Sequence, residues 1–330
     1  MTARQSASPV LVEAPARLHF GMLDLRGELG RRFGGIGAGV SDPSLLLEVL
    51  PDETLSASGP DAQRATDFAR RFLEYHAVSS GARITVHRAI PAHAGLGSGT
   101  QLALAVARAL AELYALPSDA AALAAAVGRG KRSAVGTWVF AHGGFILEGG
   151  HAPDDHTVSP LLARLPVPSR WRAVLAIPPG KPGVSGEAEA SAFAALPPPA
   201  KSDVERVAHL VLMALLPALV AADLDDFGAA LTEIQCINGG WFAPAQGGPF
   251  APGETTALVR AFSEWGATGV GQSSWGPAAY AIAGDEDSAQ ELAVRARSLV
   301  GDATRVIVAS FDDRGARVWR GTQRQGSHEH

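Results

Sequence analysis

Pro91-Ala92-His93-Ala94-Gly95-Leu96-Gly97-Ser98-Gly99-Thr100-Gln101 decides the fold of this chain. The run at 82–88 before it (ARITVHR) reads as a strand, and the alanine- and leucine-rich run at 102–113 after it reads as a helix. Strand, glycine loop and helix in that order bring unpaired N–H groups and the positive end of a helix dipole to the loop. Glycines lack a Cβ, so the backbone there turns tightly and comes close to a ligand. The combination is an anion site suited to a phosphate or a diphosphate. The hydroxyls of Ser98 and Thr100 add groups for a phosphate oxygen or a Mg²⁺ ion.

A plainer reading of the same glycines is a tight connection into a buried helix. Two well-known phosphate motifs fail on pattern. A Walker loop needs Gly-x-x-x-x-Gly-Lys-Ser/Thr, and no lysine follows here; a dinucleotide fingerprint needs Gly-x-Gly-x-x-Gly, and Gly95-Leu96-Gly97-Ser98-Gly99 is spaced differently.

The length of 330 residues suggests two domains or one large one. Hydrophobic residues at 47% and charged residues at 18% support a sizeable core and argue against disorder. A formal net charge of -5 argues against a general nucleic-acid binder. Local basic clusters remain at Arg26, Arg31 and Arg32, and at Arg129, Lys131 and Arg132; a solvated face is their plainer explanation. Cys236 is the sole cysteine, so no intrachain disulfide or cysteine-based metal site is expected, and a reducing cytoplasm fits. The polar start, 1–9, lacks a signal-peptide core, and the uncharged apolar run 210–222 is short for a bilayer and carries Pro217. No membrane partner is therefore expected. The tail 326–330 is polar, and its two histidines read as terminal decoration.

Outward from the loop, strands are expected at 10–14 and 45–50, with a glycine- and arginine-rich segment, 21–39, between them. Its apolar residues favour an ordered, ligand-facing loop or hairpin. Helices are expected at 61–76 and at 119–128, the latter capped by Ser118, and a strand at 143–148. The polar run 151–168 reads as the connection between domains. Beyond it, strands are expected at 171–177, 270–274, 278–283 and 305–310. Helices are expected at 203–222, with a kink at Pro217, and at 224–237, 254–265 and 287–300. The stretch 178–196 reads as irregular. Mixed strands and helices throughout indicate an α+β protein.

Five segments carry a resemblance to the GHMP kinase superfamily. The first is the loop itself. The others are Ala14-Pro15-Ala16-Arg17-Leu18-His19-Phe20-Gly21-Met22-Leu23-Asp24-Leu25, Phe33-Gly34-Gly35-Ile36-Gly37, Gly130-Lys131-Arg132-Ser133-Ala134-Val135-Gly136-Thr137 and Gly271-Gln272-Ser273-Ser274-Trp275-Gly276-Pro277. Within the superfamily, their order over about 12–314 resembles the β-ribofuranosylaminobenzene 5′-phosphate synthase family of methanopterin biosynthesis. The resemblance implies an N-terminal domain like domain 2 of ribosomal protein S5, at 1–160, and a ferredoxin-like C-terminal domain, at 161–330. It implies a glycosyl transfer from 5-phosphoribosyl diphosphate to 4-aminobenzoate, with loss of diphosphate and CO2 and with Mg²⁺ as cofactor.

That chemistry asks for cations and N–H donors around the leaving diphosphate, an anchor for the acceptor carboxylate and a flat apolar wall for its ring. Gly95, Leu96, Gly97, Ser98, Gly99, Thr100 and Gln101 are the expected diphosphate cradle, with Ser98 as the metal-facing hydroxyl. Lys131 and Arg132, exposed by a glycine turn and followed by Ser133, are the expected catalytic cations. His19 and Asp24 are further catalytic candidates, Asp24 as a metal ligand or an acid/base group; a hydrogen-bonded structural histidine is the commoner role for His19, and a buried carboxylate paired with Arg17 is the plainer reading of that arginine. Arg17, Arg26 and Arg32 suit bidentate recognition of a carboxylate or phosphate. Trp275, beside Ser273 and Ser274, is the candidate ring wall, with Trp241 ranked below it.

One departure bears on the chemistry. Kinases of the superfamily that use a catalytic base carry an aspartate in the segment corresponding to 130–137, and here that segment holds no acidic residue. Homoserine kinase-like members also lack it. A small-molecule kinase using ATP and Mg²⁺ therefore stays open, as does a ligand sensor without catalysis. The sequence leaves the oligomeric state open, a homodimer included.

Overall fold

The computed structural model describes residues 8–155, 157–179, 191 and 195–321. Most of the stretch 178–196 expected as irregular, and the tail 326–330, fall outside these residues.

The first sheet is built on a long antiparallel hairpin, β1 (Val10–Asp24) with β2 (Phe33–Asp52). Of the two readings of 21–39, loop or hairpin, the structure takes the hairpin, with only the turn at 25–32 outside its strands. The glycines that suggested a loop mark close packing instead. A Cβ on Gly37 would lie 2.3 Å from the Leu18 carbonyl oxygen and 2.7 Å from Val135. A glycine inside a strand often marks such an approach.

The far edge of β2 is shared. Its first half pairs with β5 (Phe145–Glu148) and its second half with β4 (Gly81–Arg88). The short β3 (Ser56–Ser58) runs parallel beside β4, and β6 (Leu161–Leu165) pairs with β5. A polar strand that the sequence did not suggest, β11 (Arg317–Arg320), returns from the far end of the chain to pair with β1. The helices of this half are α1 (Ala62–Tyr75), α2 (Ser98–Tyr114), α3 (Ala120–Ala126) and α4 (Val135–His142). The cap of α3 is Asp119, which accepts the Ala122 N–H at 2.9 Å, in place of the expected Ser118.

The second half runs β7 (Arg172–Ile177), then helices α5 (Lys201–Ala221), α6 (Leu224–Gln246) and α7 (Glu254–Glu264), then β8 (Thr268–Gln272), β9 (Ala279–Ala283), α8 (Glu286–Leu299) and β10 (Arg305–Ser310). The sheet order is β10-β7-β9-β8, every pair antiparallel. Fourth, first, third, second is the ferredoxin-like order that the resemblance implied. The division expected between 160 and 161 falls inside the first sheet, which keeps β6 and regains β11; the second sheet begins at β7.

β7 shows how the halves join. Ala173, Leu175 and Ile177 belong to the large core that also holds Phe20, Leu18 and Leu102. Val174 and Ala176 point the other way, to Leu258, Phe262 and Ala293 under α7 and α8. Alternation sends neighbouring residues to opposite faces, so a strand covered on both sides is apolar throughout. A train of rings crosses the junction: Phe20 lies 5.4 Å from Tyr280 and 6.1 Å from Phe145, and Phe145 lies 6.3 Å from Phe227.

α5 changes to a π turn at Val211–Leu215, just before Pro217. Proline lacks the N–H that an α-helix needs at that point, and the wider turn absorbs the defect. The helix has 21 residues and is by length and composition apolar enough to cross a bilayer, longer than its uncharged run suggested. Its Val207, Leu210, Leu215 and Leu219 are buried in the protein core.

Candidate active site

The glycine loop binds itself to both halves of the molecule. Gly97 stands at the start of α2 with φ 78°, and Gly95 has φ 81°. Both values lie in the left-handed region that side chains resist. The Arg17 backbone N–H donates to the Leu96 carbonyl at 3.1 Å, and its guanidinium donates to the Gly95 carbonyl. A Cβ on Gly97 would sit 2.9 Å from the Arg17 Cγ. Arg17 thus underlies the loop and holds its carbonyls, which leaves the loop's amide side for an anion.

Gly99 has a different reason to be small. A Cβ there would meet the Arg64 Nη2 at 2.8 Å and the Arg129 Nη2 at 3.2 Å. Two guanidiniums therefore flank the first turn of α2. Arg64 pairs with Asp61 at 3.1 Å, and Arg129 lies over the Phe68 ring at 4.9 Å. Helix dipole, free amides and two fixed cations reinforce one another as an anion site. Sequence reasoning noted Arg129 only as part of a cluster and missed Arg64, which sits on the polar side of an ordinary amphipathic helix. Ser98 and Thr100 are part-buried in the same turn, and Gln101 is buried with its amide donating to the Gly136 carbonyl at 2.9 Å.

The turn between β8 and β9 closes over the loop. The Ser273 hydroxyl donates to the Gly95 carbonyl at 2.7 Å and accepts the His19 backbone N–H at 3.0 Å. Ser274, at φ 57°, accepts from the Gln272 amide at 3.0 Å through its carbonyl. Trp275 stacks at a tilt against Phe242, centroids 4.8 Å apart. Phe242, His19 and Ser274 line a narrow cleft of about 30 Å³ between the halves. Trp241, the lower-ranked wall, is buried and donates to Asp203 at 3.3 Å. Phe242, the neighbouring residue, supplies the ring at the cleft.

His19 is buried, and its Nε2 lies 3.1 Å from the Ser133 hydroxyl. Burial first, and the nearby Arg17 charge second, bring its pKa down to about 3. The imidazole is neutral at pH 7, so it acts as a hydrogen-bonding group and not as a cation. Ser133 follows Lys131, which is exposed, and Arg132, which is half-buried, in the turn that leads into α4.

Behind that turn is a residue that sequence reasoning missed. Glu148, at the end of β5, is fully buried. Its carboxylate accepts the N–H groups of Ala134 at 3.3 Å and Gly150 at 2.9 Å, and the hydroxyls of Ser159 and Ser133. Desolvation by burial pushes its pKa up, against these bonds, which pull it down. The one signal in the sequence was an acid ending an apolar strand, Gly143-Gly144-Phe145-Ile146-Leu147-Glu148, before two more glycines.

The turn between β1 and β2 carries the remaining candidates. The Asp24 carboxylate accepts the N–H groups of Arg26 at 2.6 Å and Gly27 at 2.8 Å, so it folds its own turn. Arg26 is exposed, pairs with Glu28 at 2.9 Å and donates to the Pro199 carbonyl at 3.3 Å. Arg32 donates to the Leu25 carbonyl at 2.8 Å and lies over the Phe33 ring. Arg31 donates to the carbonyls of Gly149 and Gly150, the latter at 2.6 Å. These arginines hold the hairpin turn against its neighbours, whereas Arg17, His19, Ser133, Ser273 and the glycine loop converge.

For Mg²⁺ the donor set decides. Among the described residues, no group of three or more histidines, cysteines or acids is placed to hold a metal. The hydroxyls of Ser98 and Thr100 fit Mg²⁺ only as a diphosphate-bound ion, which keeps several waters and needs few protein ligands.

A family model described as the GHMP kinases N terminal domain matches residues 63–144, and one described as GHMP kinases C terminal matches 215–301. The chain is 33% identical to the beta-ribofuranosylphenol 5′-phosphate synthase of Methanothermobacter thermautotrophicus over 328 residues, which covers 93% of this chain and 98% of that protein. It is 36% identical to the enzyme of the same name from Archaeoglobus fulgidus over 321 residues, with the same 93% and 98% coverage. Among solved structures, homoserine kinase from Cytophaga hutchinsonii superposes with a TM-score of 0.71 at 18% identity, covering 97% of this chain and 100% of that one. Likeness at that identity speaks to the fold.

Proposed function

The chain belongs to the beta-ribofuranosylphenol 5′-phosphate synthase family, and from that we propose that it transfers the phosphoribosyl group of 5-phosphoribosyl diphosphate to the carboxylate-bearing ring carbon of 4-aminobenzoate. Diphosphate and CO2 leave. The observation that carries the reading is the first turn of α2, where amides and the guanidiniums of Arg64 and Arg129 meet at Gly99. That site suits a polyphosphate leaving group.

The electron balance supports a transferase over a kinase. The ring carbon forms a bond to ribose C1 as the C1–O bond to diphosphate breaks. The bond to the carboxylate then breaks, its electron pair restores the aromatic ring, and CO2 departs. Before that bond forms, no proton has to leave the acceptor. A kinase must instead handle the proton of a hydroxyl. The residues at the junction suit the first case: His19, with its pKa brought down to about 3, is a weak base, and the Glu148 carboxylate is buried under four donors.

In this reading the loop amides, Arg64, Arg129, Lys131 and Arg132 neutralise the departing diphosphate. Bound Mg²⁺ would add charge neutralisation at that group, held on the protein side by Ser98. Phe242 and Trp275 wall the aromatic ring. Arg17 holds the loop in shape. The family's name specifies a phenol product, and a para-hydroxyl pushes electrons to the same ring carbon as a para-amino group, so 4-hydroxybenzoate is the natural competitor. The single cysteine suits a cytoplasmic setting.

The test uses 4-aminobenzoate labelled at its carboxyl carbon, with 4-hydroxybenzoate labelled in the same way as the second arm. Labelled CO2 is expected only with phosphoribosyl diphosphate and Mg²⁺ present, in step with diphosphate. Turnover of the hydroxy acid alone overturns the choice of acceptor. Consumption of ATP on a small alcohol with no label released overturns the transferase reading.

A further inference from the structure

The Glu148 carboxylate sits where the mechanism above gives it no task, and a buried charge is costly unless its bonds are complete. They are complete: an ionised carboxylate offers about four acceptor sites, and Ala134 N–H, Gly150 N–H, Ser159 Oγ and Ser133 Oγ fill them. Two of these partners are backbone amides, which can only donate. The Ser133 oxygen lies 3.1 Å from His19 Nε2 and 3.3 Å from the Val135 amide. Gly35 closes the gap between acid and imidazole: a Cβ there would lie 3.1 Å from Glu148 Oε1 and 3.3 Å from His19 Nε2.

We propose that Glu148 is a positioning residue that acts through Ser133 to fix His19 as its Nε2–H tautomer. The carboxylate accepts a hydrogen bond from the Ser133 hydroxyl, which keeps its proton. The serine oxygen, left with lone pairs, then accepts from His19 Nε2–H, and Nδ1 is left as an acceptor. The same carboxylate holds Ala134 and Gly150 together. It thereby ties the turn that carries Lys131 and Arg132 to the glycines whose carbonyls receive Arg31. Other charges around the network are few. Arg17 faces His19 from its own strand, and Arg31 and His151 lie beyond Gly150.

The effect on turnover rests on the reading of His19 as part of the phosphoribosyl transfer site, but the tautomer does not, and the experiment separates the two. Long-range ¹H–¹⁵N spectra of the full chain with labelled histidine report the tautomer of each ring, His19 being assigned through His19→Gln. The wild type should show Nε2–H at His19 at pH 7. In Glu148→Gln the new amide donates to Ser133, whose hydroxyl then turns to His19, so the ring should switch to Nδ1–H. Its kcat should fall at least tenfold, with the KM for donor within about twofold. Ser133→Ala, which leaves Glu148 three partners, should return the ring to the mixture of a free neutral imidazole, with a measurable Nδ1–H share, and serves if Glu148→Gln does not fold. Retention of the exclusive Nε2–H form in either folded variant overturns the relay. A switched tautomer with wild-type kcat leaves the relay standing and removes His19 from the reaction.

Discussion

A Cβ on Gly95 would lie 2.0 Å from the Ser273 carbonyl oxygen. The phosphate loop of the first half and the β8–β9 turn of the second are therefore in backbone contact, and the Ser273 hydroxyl adds a bond to the Gly95 carbonyl. The anion site depends on both halves being docked. Changes on either side of this contact should reach the donor.

Gly97→Val forces a branched side chain into a left-handed backbone and onto the Arg17 stem, 2.9 Å away. The loop should lose its shape, and affinity for phosphoribosyl diphosphate should fall more than tenfold, roughly 1.4 kcal/mol or more. Titration calorimetry on the folded variant decides it, and unchanged affinity takes the loop out of the site.

Arg64→Ala and Arg129→Ala each remove one guanidinium from Gly99. If both grip the bound diphosphate, each should raise the donor KM several-fold and leave the acceptor KM near its wild-type value. Equal effects on both substrates would point to a folding role, since Arg64 also pairs with Asp61.

Lys131→Ala and Arg132→Ala test the cations that meet charge as it develops. Loss of one such contact costs on the order of 2–4 kcal/mol in the transition state, so kcat should fall by more than an order of magnitude with acceptor binding preserved. Normal turnover in a folded variant returns the pair to a solvated face.

His19 sets an acid limit on stability. In the unfolded chain it takes up a proton near pH 6.5, and in the folded protein only near pH 3. Between those values the unfolded state binds more protons, so stability falls as the pH falls, by up to about 1.4 kcal/mol per pH unit. Glu148 works the other way: its raised pKa keeps the folded form protonated longer, so its contribution declines as the pH rises above the usual carboxylate range. Thermal melts from pH 4 to 7, wild type against His19→Gln, isolate the histidine. A slope that survives the substitution assigns acid lability elsewhere.

The glycine loop and α2 were legible because their signal is local: glycines at fixed offsets between a strand and an apolar helix. The second sheet was legible for the same reason, as short apolar runs between helices. The hairpin was legible only as one of two readings, loop or hairpin, and the length of its strands was not, because Gly35, Gly37 and Gly39 mean one thing as isolated residues and another beneath Val135 and Val139. α4 was missed because the apolar run Val135–His142 follows a glycine-rich turn and shows no polar face to mark its period. Arg64 and Glu148 belong to the site only through partners that lie far away in the sequence, and no spacing rule reaches them. Arg17 and His19 lie two apart on one strand, where alternation puts neighbours of that spacing on one face, and that much the residues themselves announced.

The return of β11 to β1 has a bearing on biogenesis. The strand that completes the edge of the first sheet, pairing Val10 with Arg320, is separated from its partner by the rest of that sheet and all of the second. During synthesis the ribosome delivers β11 long after β1, once the ferredoxin-like half has emerged. Domains often mature from the N-terminus onward, but here the earlier half stays one strand short until the later half is in place. Until then the open edge of β1 is a template for foreign strands, and quality control of the nascent chain would watch that edge.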